Sequence, residues 1–192
     1  MNWYRIRHTL GMLLTASPRG RADYIKKHHI FKHMGEKSSV MFRKLPLYPK
    51  LISIGNNVRL AANVLLVTHD GIHRMLNNAG GYGQFQEMLG CIEIQDNVFI
   101  GSNTTILPNV TIGPNTVIAA GSLVNKSLPG NGVYGGVPAK YIGSFEKLVE
   151  KRRDIPKIEI EYNNTSGLSD ETVEEIWQRY YSTRPGGKQN ES

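Results

Sequence analysis

Stepping by six from Ile94 lands on Ile100, Ile106, Ile112, Ile118 and Val124. Ile, Leu and Val make up 45 of the 192 residues, so six successive hits arise by chance roughly once in 6,000 starting points. The positions four further on are Val98, Thr104, Val110, Thr116, Ser122 and Leu128, nearly all small or β-branched. An upstream set, Ile54, Leu60 and Leu66 with Val58 and Val64, obeys the same rule. A period of six fits neither a helix of 3.6 residues per turn nor simple strand alternation. It fits short strands joined by sharp corners, three of which close an 18-residue coil whose aliphatic side chains stack inside. Asn57, Asn63, Asn97, Asn103, Asn109 and Asn115 fall in corner slots, where positive φ is affordable for that residue. The expected core is therefore all-β, a parallel β-helix. A β-sandwich would instead place turn signals every 8–12 residues.

The repeat lapses after Val67-Thr68-His69-Asp70 and resumes at Ile94, across a Gly-rich excursion. An excursion of that length is either functional or a disordered insertion. Three regions follow: a basic, mostly helical segment over 1–33, broken at Ser17-Pro18; a β-helix over 34–143 with an inserted loop at 71–92; and a helical extension over 144–192 whose tail is expected to fray from about Arg184. In the extension, Ser169 or Asp170 reads as a helix cap, and Val173, Ile176, Trp177 and Tyr180 share one helical face.

Charge is unevenly placed. Residues 1–50 carry eleven Lys/Arg against two Asp/Glu, residues 51–143 carry four of each, and 144–192 carry eight against ten. The formal excess of +7 thus originates in the N-terminal segment, which suits an anionic glycan, a sugar nucleotide, a lipid-diphosphate-linked acceptor or an anionic membrane face. Arg19, Arg21, Lys26 and Lys27 are its candidate cations. A solvated basic face that merely aids solubility is the plainer alternative. No nucleic-acid-binding module is recognisable, so nucleic acid is not an expected partner. The lone Cys91 excludes a disulfide framework within one chain. No apolar run reaches the roughly 18 residues that cross a bilayer. The apolar core of Leu10–Ala16 is only about the minimum for a secretory signal, so the expected location is cytoplasmic.

Three segments carry a resemblance to a known family: VTHDGIH (67–73), IQDNVFIGSNTTILPNVTIGPNTVIAAGSLVNKSLP (94–129) and VYGGVPAKYIG (133–143). Together they resemble the hexapeptide-repeat acyltransferases, most closely the galactoside, maltose and polysaccharide O-acetyltransferases. The resemblance implies a left-handed β-helix, acetyl-CoA as acyl donor, a carbohydrate acceptor, and a homotrimer with sites at the three subunit interfaces. It also implies His69 as the general base. A hydroxyl must lose its proton as it attacks a thioester, and a positioned imidazole does this near its own pKa, typically worth about 10²–10⁴ in rate. Ser102, Ala119, Ala120 and Gly121 would line the pantetheine arm, with an oxyanion contact near Ser102. Asn125 and Lys126 stand near the far end of the arm, and Lys140 would meet phosphate as a point charge. Asp70, His73, Tyr82 and Glu87 are candidates for the acceptor side.

His69, His73 and Asp70 make a conceivable metal set, but the zinc-binding β-helical enzymes use three histidines and only two are offered here, so no metal is expected. Phe99 replaces the Trp of many relatives, Asn125 the common Thr, and Gly143 a basic residue found in some. An N-acetyltransferase of an amine and a non-catalytic β-helical scaffold remain as alternative readings.

Overall fold

The computed structural model describes residues 3–162 and 167–184. It divides into two compact units, 1–151 and 152–192. The first unit begins with α1 (Trp3–Leu14) and α2 (Pro18–Lys27). Ser17 separates them by accepting a hydrogen bond from Gly20 N at 2.9 Å, while Pro18 occupies the first helical turn. That is the arrangement a Ser-Pro pair favours, because the helix start leaves donors unpaired and Pro has none to lose.

The chain then winds through β1 (His33–Met34), β2 (Ser39–Val40), β3 (Ile52–Ile54), β4 (Arg59–Leu60) and β5 (Leu65–Leu66). After the excursion come β6 (Ile92–Ile94), β7 (Val98–Ile100), β8 (Thr105–Ile106), β9 (Val110–Ile112), β10 (Thr116–Ile118) and β11 (Leu123–Val124). These form three parallel faces: β1-β3-β6-β9, β2-β4-β7-β10 and β5-β8-β11. Ile94 pairs with Ile112 and Val98 with Thr116, an offset of 18 residues per coil. Ile54 pairs with Ile94, an offset of 40, so the excursion adds 40 − 18 = 22 residues to one coil. Ser39 pairs with Arg59, so the coil carrying Pro46 and Pro49 is two residues longer than 18.

Every position of the two six-residue registers from Ile94 to Leu128 is buried, as are Ile54, Val58, Leu60, Val64 and Leu66. The polar members are satisfied inside: Thr116 Oγ1 donates to Gly113 O at 2.9 Å and Thr104 Oγ1 to Ala119 O at 3.2 Å. All six corner asparagines adopt φ between 51° and 62°. Their amides stack from coil to coil, Asn57 donating to Asn97 at 2.9 Å and Asn97 to Asn115 at 3.1 Å. A corner that forces positive φ is thus occupied by the residue that both tolerates it and bonds its counterpart in the next coil.

The β-helix closes on β12 (Gly132–Gly135), which continues the second face, and β13 (Lys140–Ser144) folds back antiparallel on it. The intervening turn holds Gly136, cis Pro138 and Ala139. The excursion is not wholly a loop. It contains α3 (Ile72–Ala79), entered through Asp70 Oδ1, which accepts from Ile72 N at 3.0 Å; Gly80, Gly81 and Gly83, all at positive φ, end the helical run. Helix α4 (Phe145–Arg153) follows the hairpin.

In the second unit, α5 (Asp170–Ser182) is capped by Ser169, which accepts from Thr172 N at 3.2 Å. Its Ile176, Trp177 and Tyr180 remain substantially exposed, so the common face is not buried within the unit. The tail expected to fray lies almost wholly outside the described residues. No described helix is long and apolar enough to cross a membrane.

Candidate active site

His69 sits three residues beyond Leu66, at the corner where the β5-β8-β11 face ends and the excursion begins. The two ends of the excursion are laced there: His69 bridges Leu89, Asp70 N donates to Met88 O at 3.1 Å, and Gly90 N donates to Thr68 O at 2.9 Å. Thr68 Oγ1 also donates to Leu47 O at 2.5 Å, tying the corner to the preceding coil. The His69 ring is half-buried and packs edge-on against Tyr48, centroids 5.4 Å apart at 84°. Its Nδ1 is buried with no hydrogen-bond partner among the described residues. An imidazole held at a corner in this way has little rotational freedom, which is what a general base requires.

Tyr48 Oη donates to Glu87 Oε2 at 2.7 Å. That hydrogen bond, together with burial and the carboxylate's charge, pushes the Tyr48 phenol above its ordinary value. Glu87 thereby reaches the His69 surroundings through Tyr48. Asp70 is spent on starting α3 and makes no hydrogen bond to the His69 ring. His73 lies on α3, half-buried, with its Nδ1 also unpartnered among the described residues. Tyr82 is 70% exposed in the Gly-rich stretch and has no hydrogen bond to any of these residues. No group of three metal-ligating side chains occurs among the described residues.

Ser102, Ala119, Ala120 and Gly121 lie together at the opposite edge of the same face. Gly121 N donates to Ser102 O at 2.8 Å, joining the two corners across adjacent coils. Gly101 is required there, since a Cβ on it would lie 2.4 Å from Ala120 N. Ser122 Oγ donates to Ala119 O at 2.7 Å and accepts from Gly136 N at 3.2 Å, fixing the Gly-Gly-Val-Pro turn against the last coil. Ser102 is half-buried, and Ala120 and Gly121 are exposed. Ala119 N is likewise spent on Tyr134 O at 2.8 Å, so with no bulky side chain in the way it is the Ser102 and Ala120 amides that are open to an extended chain carrying its own amides. Asn125 and Lys126 are exposed just beyond β11, on the same edge as His69 but two coils away, roughly 10 Å at the usual strand spacing. Lys140 is exposed at the start of β13.

One face therefore separates His69 from the small-residue corner. Through the coil register the corner opposite His69 is Ala62, seven residues earlier, so the two edges are on the order of 15–20 Å apart. A single chain does not line one groove with both.

Several site features lack a sequence signal. Tyr48 lies in the stretch that departs from the six-residue frame, and only the paired prolines mark it. Arg5, Arg43 and Lys44 border a hollow of about 760 Å³ that ends at His69, and nothing in their spacing announces it. Arg21 corrects the charge reading. It is 2% exposed, and its guanidinium donates to Val40 O at 3.0 Å, Thr15 O at 2.9 Å and Ala16 O at 2.8 Å. It therefore docks α2 on the β-helix and offers no free cation, while Lys26 is paired with Glu36.

A family model described as bacterial transferase hexapeptide (six repeats) matches residues 92–126. The Bacillus subtilis (strain 168) protein named "Putative acetyltransferase YvoF" is 30% identical over 134 residues, 69% of this chain and 72% of that relative. Galactoside O-acetyltransferase of Escherichia coli (strain K12) is 40% identical over 111 residues, 57% of this chain but only 52% of the relative. Among solved structures, a galactoside acetyltransferase in complex with coenzyme A matches with a TM-score of 0.55 at 26% identity, covering 86% of this chain and 88% of that one.

Proposed function

Since the chain belongs to the bacterial transferase hexapeptide family, as an acetyltransferase built on its left-handed β-helix, we propose that it moves an acetyl group from acetyl-CoA to a sugar hydroxyl in polysaccharide or glycoconjugate synthesis. The observation that carries this reading is the His69 corner, an imidazole braced against Tyr48 at the end of a hollow large enough for a sugar. Nε2 of His69 takes the hydroxyl proton as the oxygen attacks the thioester carbonyl. The tetrahedral oxyanion is met by the Ser102 hydroxyl or a neighbouring amide. Collapse breaks the carbon–sulfur bond, and the imidazolium returns its proton to the leaving thiolate. The products are an acetyl ester and coenzyme A, with no acyl-enzyme.

The donor fits the small-residue edge, where the short side chains of Ala119, Ala120 and Gly121 leave the Ala120 backbone open to the pantetheine amides. Lys140, together with Asn125 and Lys126 of the copy that bears the working His69, supplies polar and cationic contacts toward its phosphates. Because one chain keeps that edge far from its own His69, the complete site lies between two copies, and a cyclic trimer makes three of them. Acetyl-CoA is a cytoplasmic metabolite, so the reaction is placed in the cytoplasm, at the inner membrane face where a membrane-borne acceptor is presented.

The test is acetyl transfer from acetyl-CoA to matched hydroxyl and amino sugars. Ester products are expected, with His69→Ala lowering kcat about 10²–10⁴-fold while acetyl-CoA affinity is kept. Transfer to nitrogen alone, or His69→Ala within twofold of wild type, overturns the assignment.

A further inference from the structure

Two neighbouring hollows share three cations. The first, about 760 Å³, runs from His69 past Leu47 to Arg5, Arg43 and Lys44. The second, about 830 Å³, starts at the same Arg5, Arg43 and Lys44 and continues along α1 over Ile6, Leu10 and Leu13. No described acidic side chain lines either. Leu10 and Leu13 are about half exposed on a helix whose His8 and Met12 face inward.

The three cations differ in how far they are already engaged. Arg43 Nη1 donates to Leu13 O at 2.8 Å and so braces the end of α1. Arg5 spends one nitrogen on Leu45 O at 3.4 Å. Lys44 is exposed and has no hydrogen-bond or ion-pair partner among the described residues. A strongly hydrated ammonium and the unused N–H groups of two guanidinium forks gather here with no counter-charge, which favours an anion with several oxygens.

The order along the surface is a proton acceptor, then a cluster of cations, then an apolar trough. That order matches one chemical class, a sugar joined through a phosphate or diphosphate to a hydrocarbon chain. Building on the acetyl-transfer reading above, we propose that the acceptor is such a glycosyl (di)phosphoryl lipid. Its sugar lies at His69, its phosphate at Arg5, Arg43 and Lys44, and the first part of its chain along Leu10 and Leu13 of α1. The hydrocarbon end then leads off the protein beside the exposed Leu14 at the end of α1. Of the segment's excess charge, the part that meets the acceptor is therefore this cluster, and Arg21 belongs to the fold.

The probe is farnesyl diphosphate, compared with inorganic diphosphate and farnesol. Each is titrated by calorimetry into the full-length chain saturated with coenzyme A, below the micelle concentration of the lipid. Farnesyl diphosphate is expected to bind at least tenfold more tightly than either fragment. Lys44→Glu should weaken both diphosphates fivefold or more. Leu13→Asn should remove the advantage of the hydrocarbon chain and, adding no charge beside Arg43, leave inorganic diphosphate as in wild type. Thermal melting of each variant excludes unfolding as the cause.

Inorganic diphosphate binding as tightly as farnesyl diphosphate overturns the proposal and indicates a soluble phosphorylated acceptor. Undiminished binding by both variants overturns it too. So does binding to phosphatidylglycerol vesicles with none to farnesyl diphosphate, which indicates a membrane-docking face. Coenzyme A binding is read in the same instrument. If coenzyme A binds and farnesyl diphosphate does not, this acceptor fails while the transferase reading stands. If coenzyme A does not bind, the transferase reading fails, and titrations without it still report on the cationic trough.

Discussion

Replacing Gly101 by Ala tests the coil spacing on which both fold and donor edge depend. The added Cβ would stand 2.4 Å from Ala120 N, 2.8 Å from Ala120 Cα and 2.9 Å from the Ala119 carbonyl carbon. Ordinary van der Waals contact begins near 3.4 Å, so about 1 Å of displacement is demanded of backbone. Gly101 N already donates to Ile118 O at 2.8 Å and Gly121 N to Ser102 O at 2.8 Å, so the strands cannot part without stretching both bonds. Overpacking of this kind costs about 1–3 kcal/mol, read as a lowered urea midpoint at unchanged m-value. Gly71→Ala is the internal control. Gly71 has φ −106° and nothing within 4 Å of its added Cβ, so its stability should stay within about 0.5 kcal/mol of wild type. If Gly101→Ala proves as neutral as Gly71→Ala, the close-stacked corner is wrong.

Arg21→Met keeps much of the buried volume but leaves Val40 O and Ala16 O without their donor, at about 1–3 kcal/mol each, and should cost about 2–6 kcal/mol in urea unfolding; a loss under about 1 kcal/mol would contradict a structural role. His8 is buried, accepts or donates through Nδ1 to Tyr24 Oη at 3.1 Å, and lies beside His28. Burial first, then the His28 and Arg7 charges, lower its pKa from 6.5. The unfolded chain therefore binds this proton more readily than the native one. Its contribution is full above pH 6.5 and is lost as pH falls through the depressed native value. Thermal melts between about pH 8 and 5 should show that loss, and His8→Gln should flatten it; an unchanged slope in the variant would assign the titration elsewhere.

The β-helix is legible because its geometry is written in strict registers. Ile94 to Val124 and Val98 to Leu128 repeat every six, and corner asparagines mark where φ turns positive. The interruption at His69 is legible for the same reason, as a break in an otherwise unbroken count. The surroundings of His69 are not. Tyr48, Leu47 and Arg5 reach it from 21 to 64 residues away, through an irregular coil and a separate helix, and no period connects such positions. Arg21 misleads in sequence because burial and exposure leave the same letter, and only carbonyls converging from two segments distinguish a docking cation from a free one. The α5 stripe shows the converse, since helical spacing predicts a common face without saying what covers it.

The central claim is that His69 of one copy works against the Ala119–Gly121 edge of another. Chains carrying His69→Ala are inactive by that account, as are chains whose donor edge is blocked by Ala120→Trp. Co-refolding the two in equal amounts, with mixed trimers verified by native mass spectrometry, gives each mixed trimer one interface where an intact His69 meets an intact edge. About a quarter of wild-type acetyl transfer should return, since random mixing puts about three-quarters of trimers in mixed form, each with one intact site in three. Mixed trimers that remain as inactive as either parent would contradict a shared site.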